Sequence, residues 1–183
     1  LDPGWAERDN PDKPWLGRAI ARLVGLAHLE CNEDACNMVS FTWGTGSPAI
    51  FEHAKMSPVT HGRVGELFGP IAMPYFRNVR SAILNDNTFG RYIDKPEHKR
   101  FPKRYFDNVG EVRVPTLLLS GEKNNIFPGS NKLTAQRIRD KGIDGYEYRE
   151  IPDYGHQDVF MGKDCATETF PLISDFLHGV IAR

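Results

Sequence analysis

Apolar positions along the chain follow a helical period through roughly the first hundred residues and contract into short runs after Val112. Leu16, Ile20, Leu23, Val24 and Ala27 recur at helical spacing, which predicts a helix over 16–29 with that side buried. The stretch Cys36-Asn-Met-Val-Ser-Phe-Thr-Trp43 is richer in β-branched and aromatic residues and stops at Gly44-Thr-Gly46, so a short strand or an extended arm is expected there. Residues 59–68 and 70–84 read as two helices separated by Gly69, with Pro70 and Pro74 suited to the first turn of the second. The first 16 residues, with three prolines, a glycine and many charges, read as an irregular lead-in, and 85–104 as a charged loop.

The grammar then changes. Val114-Pro-Thr-Leu-Leu-Leu-Ser120 is an apolar run with the character of a buried strand. After Pro128 and Gly129, Ser130 is placed to cap a helix with Leu133 and Ile138 on its inner face, ended by Gly142. Residues 146–151 alternate as a second strand, and Pro152-Asp-Tyr-Gly155 forms a turn directly before His156. A last helix over 164–177 sets Ala166, Phe170, Ile173, Phe176 and Leu177 on one side. Strand, loop, helix, strand, turn and helix are the units of a parallel sheet with helices on its faces, so the fold class is α/β. Residues 1–105 read as a helix-rich cap or lid, and 106–183 as a core segment with its last parallel strands.

Composition narrows the possible functions. With 183 residues and 40% apolar side chains the chain can bury a core of its own. The 23 basic and 24 acidic residues give a formal net charge of -1, which argues against a phosphate-tracking surface and against a nucleic-acid partner. No apolar run is long enough to span a bilayer, and the first residues lack the profile of a signal peptide. Of the three cysteines, Cys31 and Cys36 stand close enough to form a small-loop bridge, and equally read as two ordinary small side chains. Neither HExxH nor other tight ligand spacing links His28, His53, His61, His98 and His178. Surface or capping roles are expected for them, with no metal and no cofactor. Phe68, Tyr75, Phe76 and Phe89 are placed either to roof an apolar pocket or, more simply, to pack a core.

In an α/β sheet, chemistry gathers in the loops at the carboxyl ends of the strands. Here those loops are Gly121-Glu-Lys-Asn-Asn-Ile-Phe-Pro128 and Gly155-His-Gln-Asp158. Together they resemble the C-terminal third of the α/β-hydrolase family, whose triad runs serine, acid, histidine in chain order. The first loop fits that family's G-x-x-D-x-x-x-P frame with Asn124 in the acid's place, and the second fits G-H-x-D. Cys31-x4-Cys36, Phe41-Thr-Trp-Gly44, Phe51-Glu-His53, Thr60-His61, Glu66-Leu-Phe-Gly69 and Gly162-Lys163 are similar, in order and spacing, to bacterial α/β-hydrolases found fused to or beside glucose-methanol-choline-type oxidoreductases.

The resemblance implies a serine-type ester hydrolase acting on an ester with an apolar part, with His156 as base. Asn124 or Glu122 would orient the imidazole, and Asp158 would brace the loop by accepting backbone N–H groups. No G-x-S-x-G occurs; Gly44-Thr-Gly-Ser47 and Pro128-Gly-Ser130 lack a strand-serine-helix context. The nucleophile, and the N-terminal half of the hydrolase, is therefore expected upstream of Leu1 or on a separate chain. The alternative from another class is a non-catalytic binding or assembly subunit that keeps a degenerate hydrolase shape.

Overall fold

The computed structural model describes residues 15–43, 50–69, 71–84, 89–91 and 96–182. The lead-in before Trp15, the Gly44-Thr-Gly46-Ser47 stretch, Pro70 and parts of the 85–104 loop lie outside the described residues.

The fold is mixed α/β. Helix α1 spans Trp15–Gly25 and packs on α2, Asp34–Trp43. The face that α1 buries is the small one, Gly17 and Ala21, whereas Leu16 and Leu23 stand exposed. Close approach to α2 selects small side chains, so of the face expected inward Ile20 packs on Ala21 and Met38 while Leu16 and Leu23 point out. The expected strand at 36–43 is helix α2. Its β-branched and aromatic residues prefer strands only weakly, and burial of Met38 against Ala21 and of Val39 in the main cluster decides the outcome.

Helices α3, Pro58–Gly62, and α4, Val64–Leu67, replace the single helix expected over 59–68, the break falling at Arg63. Ser57 caps α3 by accepting from the Thr60 amide at 3.0 Å, and Pro58 fills its first turn. Helix α5 runs Met73–Leu84 with Pro74 in its first turn, as expected.

Strands β1, Thr116–Gly121, and β2, Tyr146–Ile151, pair in parallel from Thr116↔Tyr146 to Gly121↔Ile151. Helix α6, Ser130–Asp140, makes the crossover that parallel pairing demands, packing on both strands. Ser130 does not cap it. The preceding Gly129 takes the cap position at φ +68°, a left-handed conformation open to glycine, and Ser130 is already helical. On the inner face of α6, Ala135 and Ile138 are buried but Leu133 is exposed. Beyond β2 come α7, Asp158–Met161, α8, Cys165–Glu168, and α9, Phe170–Ile181. The last helix is thus divided at Thr169, next to Pro171, and α9 buries none of its residues.

The largest core cluster crosses the chain's midpoint. Cys36, Val39, Ile50, Phe51, Met56 and Val64 pack with Ile126 from the loop after β1. A second cluster joins Ile151, Tyr154, Val159 and Cys165 beneath Leu119 of β1. Among the described residues no helix is long and apolar enough to cross a membrane.

Candidate functional site

The loops that follow β1 and β2 meet at two glycines. A side chain on Gly121 would place its Cβ 2.1 Å from the Gly155 carbonyl oxygen and 2.2 Å from that of Tyr154, so only glycine fits. Gly155 is equally confined, a Cβ there meeting Glu52 N at 2.8 Å and Phe51 Cα at 3.0 Å. Backbone bonds close the junction: the Glu122 amide donates to Ile151 O at 2.9 Å and the Lys123 amide to Tyr154 O at 2.8 Å. The glycines that head the two sequence motifs therefore hold those motifs face to face.

His156 is half-buried at this junction, and its backbone is fixed from outside the sheet. The Ile50 carbonyl accepts from both the His156 amide, at 3.1 Å, and the Gln157 amide, at 3.0 Å. Burial pushes the imidazole pKa below its ordinary value, because charging it would cost solvation. Asp158 is fully buried, and its Oδ2 accepts from the Gly155 amide at 2.8 Å, the bracing role foreseen for it. The same burial pushes its carboxyl up.

Asn124 and Glu122 lie on the adjoining loop, with their hydrogen bonds directed to backbone and hydroxyl groups. Asn124 Oδ1 accepts from the Ile126 amide at 2.8 Å while its Nδ2 donates to Ser120 Oγ at 3.4 Å. Glu122 Oε2 accepts from the Asp153 amide at 3.1 Å, tying the β1 loop to the β2 turn. Among the described residues the His156 ring makes no side-chain hydrogen bond. Both loops also hold a non-glycine residue at positive φ: Phe127 at +54° and Asp153 at +63°. For a bulky residue such as Phe127 that conformation stores strain, a feature that clusters at working sites.

Phe127 and Pro128 wall an apolar cavity of about 680 Å³ between α5 and α6, to which Val79, Ile83, Phe89 and Leu133 contribute. Of the aromatics considered as a pocket roof, Phe89 lines this cavity. Tyr75 and Phe76 instead stack around Trp43, and Phe68 packs on the main cluster. His156 is not among the lining residues.

A second group of chemically capable side chains has no counterpart in the sequence reading. His28 leaves the end of α1, Cys31 and Cys36 flank the start of α2, and His53 opens a short 3-10 turn. Their ligand atoms lie within 4.8 Å of one another. His28 Nε2 is 3.6 Å from Cys31 Sγ and 3.4 Å from Cys36 Sγ, and His53 Nε2 is 3.4 Å from Cys36 Sγ. The outer ring nitrogens also have polar neighbours: Ser40 Oγ lies 3.3 Å from His28 Nδ1, and Glu30 Oε2 lies 2.7 Å from His53 Nδ1 without hydrogen-bond alignment. His28 and Cys36 are buried, so the surface role expected of His28 is corrected. The cysteines are free, not bridged. The hydrogen bond between the two thiols, with His28, His53 and His61, pushes Cys31 far below its usual range, and the same bond with burial pushes Cys36 far above it. His61, on α3, packs edge-on against His53, and its buried Nε2 has no hydrogen bond among the described residues.

Spacing hid this group. His28 and Cys31 are three apart, but the order is His, Cys, Cys, His, and His53 follows Cys36 by seventeen positions. The linear hints were a histidine three before a cysteine and a second cysteine five further on, too common to mark a site.

Set beside known proteins, the chain matches no family model, no curated protein and no solved structure.

Proposed function

We propose that this chain supplies the cap and the imidazole base of a serine-type carboxylic ester hydrolase. The nucleophilic serine would come from an upstream segment or a separate chain. The observation that carries this reading is the Gly121–Gly155 junction, which sets His156 at the carboxyl end of a parallel strand pair beside the loop that matches an acid-loop frame.

The chemistry required is acyl transfer. The serine attacks the ester carbonyl as His156 takes its proton, and the imidazolium then returns that proton to the departing alcohol. Such a base must be neutral before reaction, and desolvation favours the neutral imidazole. Glu122 ties its loop to the turn that leads into His156, and Asn124 shapes that same loop, so in this reading they position the imidazole through the backbone. The apolar cavity beside Phe127 and Pro128 takes the apolar part of the ester.

A fluorophosphonate probe tests the reading on the intact assembly containing this chain. A serine outside residues 1–183 is expected to be labelled, and His156→Gln should remove the label and lower ester hydrolysis by about 10²–10⁴-fold. An assembly that neither takes the label nor hydrolyses short-chain esters would refute it.

One observation favours a second reading, a non-catalytic assembly subunit: the hydrogen bonds of both candidate orienters are committed to the loops. Under it, His156→Gln leaves partner binding intact and there is no hydrolysis to lose.

A further inference from the structure

We propose that His28, Cys31, Cys36 and His53 bind one divalent cation of borderline softness, Zn2+ foremost, in a closed four-coordinate site that staples the α1–α2 connection to the segment on which the His156 loop rests. Ester hydrolysis has no use for these side chains, and the site stands whether or not the chain serves an esterase.

Size is the first support. A tetrahedral zinc centre, with Zn–S near 2.3 Å and Zn–N of about 2.0–2.1 Å, sets nitrogen and sulfur ligands about 3.5 Å apart. Three of the four nitrogen–sulfur distances are 3.6, 3.4 and 3.4 Å, and all four ligand atoms lie within 4.8 Å of one another.

Proton counting is the second. Glu30 Oε2 stands 2.7 Å from His53 Nδ1 without hydrogen-bond alignment, and its charge favours an N–H on that side of the ring, which turns the Nε2 lone pair to Cys36. His28 Nε2 faces two sulfurs, and Cys36 Sγ faces two imidazole nitrogens. Two thiols hold two protons, and the spare donor nearby, His61 Nε2, is itself unpaired and buried. A cation at the centre accepts all four lone pairs together, and two thiolates balance its charge.

The surroundings are those of a metal centre. A carboxylate behind one ligating histidine and a hydroxyl behind the other fix ring orientation and basicity. Two sulfurs and two nitrogens in a compact, largely buried group select zinc over harder cations. Four protein ligands leave no open position, so the role is structural.

The site's position says what it holds. His28, Cys31 and Cys36 belong to the α1–α2 connection, whereas His53 lies three residues beyond Ile50, the acceptor for the His156 and Gln157 amides. The cation thus fixes the segment on which the His156 loop rests.

The test uses the intact protein, purified under reducing conditions from zinc-supplemented cells. Elemental analysis should find about one zinc per chain, as four ligands in one closed site require. After chelation, Co2+ should restore the ligand-field bands of a tetrahedral centre together with thiolate-to-metal charge transfer. Because Cys36 belongs to the main core cluster, Glu30→Gln is the informative variant: metal affinity should fall about 10- to 100-fold with unchanged circular dichroism. Removing the metal should also speed hydrogen exchange at the His156 and Gln157 amides. No retained metal with no cobalt spectrum would overturn the site. Unchanged exchange would overturn the staple.

Discussion

At the scale of single residues, His156 makes the sharpest demand on experiment. Its ring is half-buried and has no charged partner among the described residues, and desolvation alone lowers its pKa from the ordinary 6.5. Imidazole NMR is expected to show titration below that value. The linkage has a definite sign. The unfolded chain takes up the proton first, so the stability contribution is complete above about pH 6.5 and declines as pH falls through that value toward the folded pKa. Urea unfolding at pH 7 and pH 5 should show a loss that His156→Gln lacks; an equal loss in both proteins would assign the slope to other groups. The histidine loop was legible in the sequence because glycine, histidine and strand end are consecutive. The partners of Asn124 and Glu122 were not, since each bonds to a loop group chosen by the local fold.

Among the elements, β1 and β2 fall close to where their sequence places them, because a run of leucines after Val114-Pro115 and an alternating Tyr146–Ile151 stretch each have one reasonable conformation. Helix α2 was hidden. Its residues favour strands locally, and only the contact with Ala21 and the apolar cluster supplies the compensating burial. Helix α6 shows why spacing finds a helix but not its inner face. Ile138 is 2% exposed whereas Leu133 is 42% exposed; five positions apart they stand roughly 140° apart around the helix, and the buried stripe instead runs through Ala135 and Ile138. Truncation should separate them: Ile138→Ala is expected to cost about 2–5 kcal/mol. Leu133→Ala should stay within about 0.5 kcal/mol. Equal costs, measured by urea denaturation, would contradict the orientation of α6.

For the whole molecule, the notable quantity is the apolar surface left in water. No residue of α9 is buried; Leu177 is 51% exposed and Ile181 81%. The two strands form a sheet with an open edge on each side among the described residues. Surfaces of that kind attract partners or promote aggregation. The chain on its own is expected to self-associate in sedimentation velocity, and Leu177→Lys with Ile181→Lys should reduce this with little change in melting temperature. If the pair instead lowers the melting temperature sharply, α9 is covered within the chain. The sequence suggested the need for a partner through its missing serine motif, and the uncovered helix supports it on separate grounds. The His28–His53 group was illegible at every linear scale, because its members meet only after α1 turns back on α2 and the 50–56 segment crosses them.

That crossing segment bears on how the protein can be recombined. Ile50 receives the two amides of the His156 loop, Glu52 pairs with Lys123 at 3.4 Å, and the Lys55 carbonyl accepts from the Lys163 amide at 2.7 Å while its ammonium meets Glu168 at 2.8 Å. A chimera joined at residue 105 would exchange the expected lid and take with it the surface that the loops after β1 and β2 are moulded on. Grafts that import a foreign cap would have to keep residues 50–56 from the recipient, or import 121–128 and 152–168 along with it.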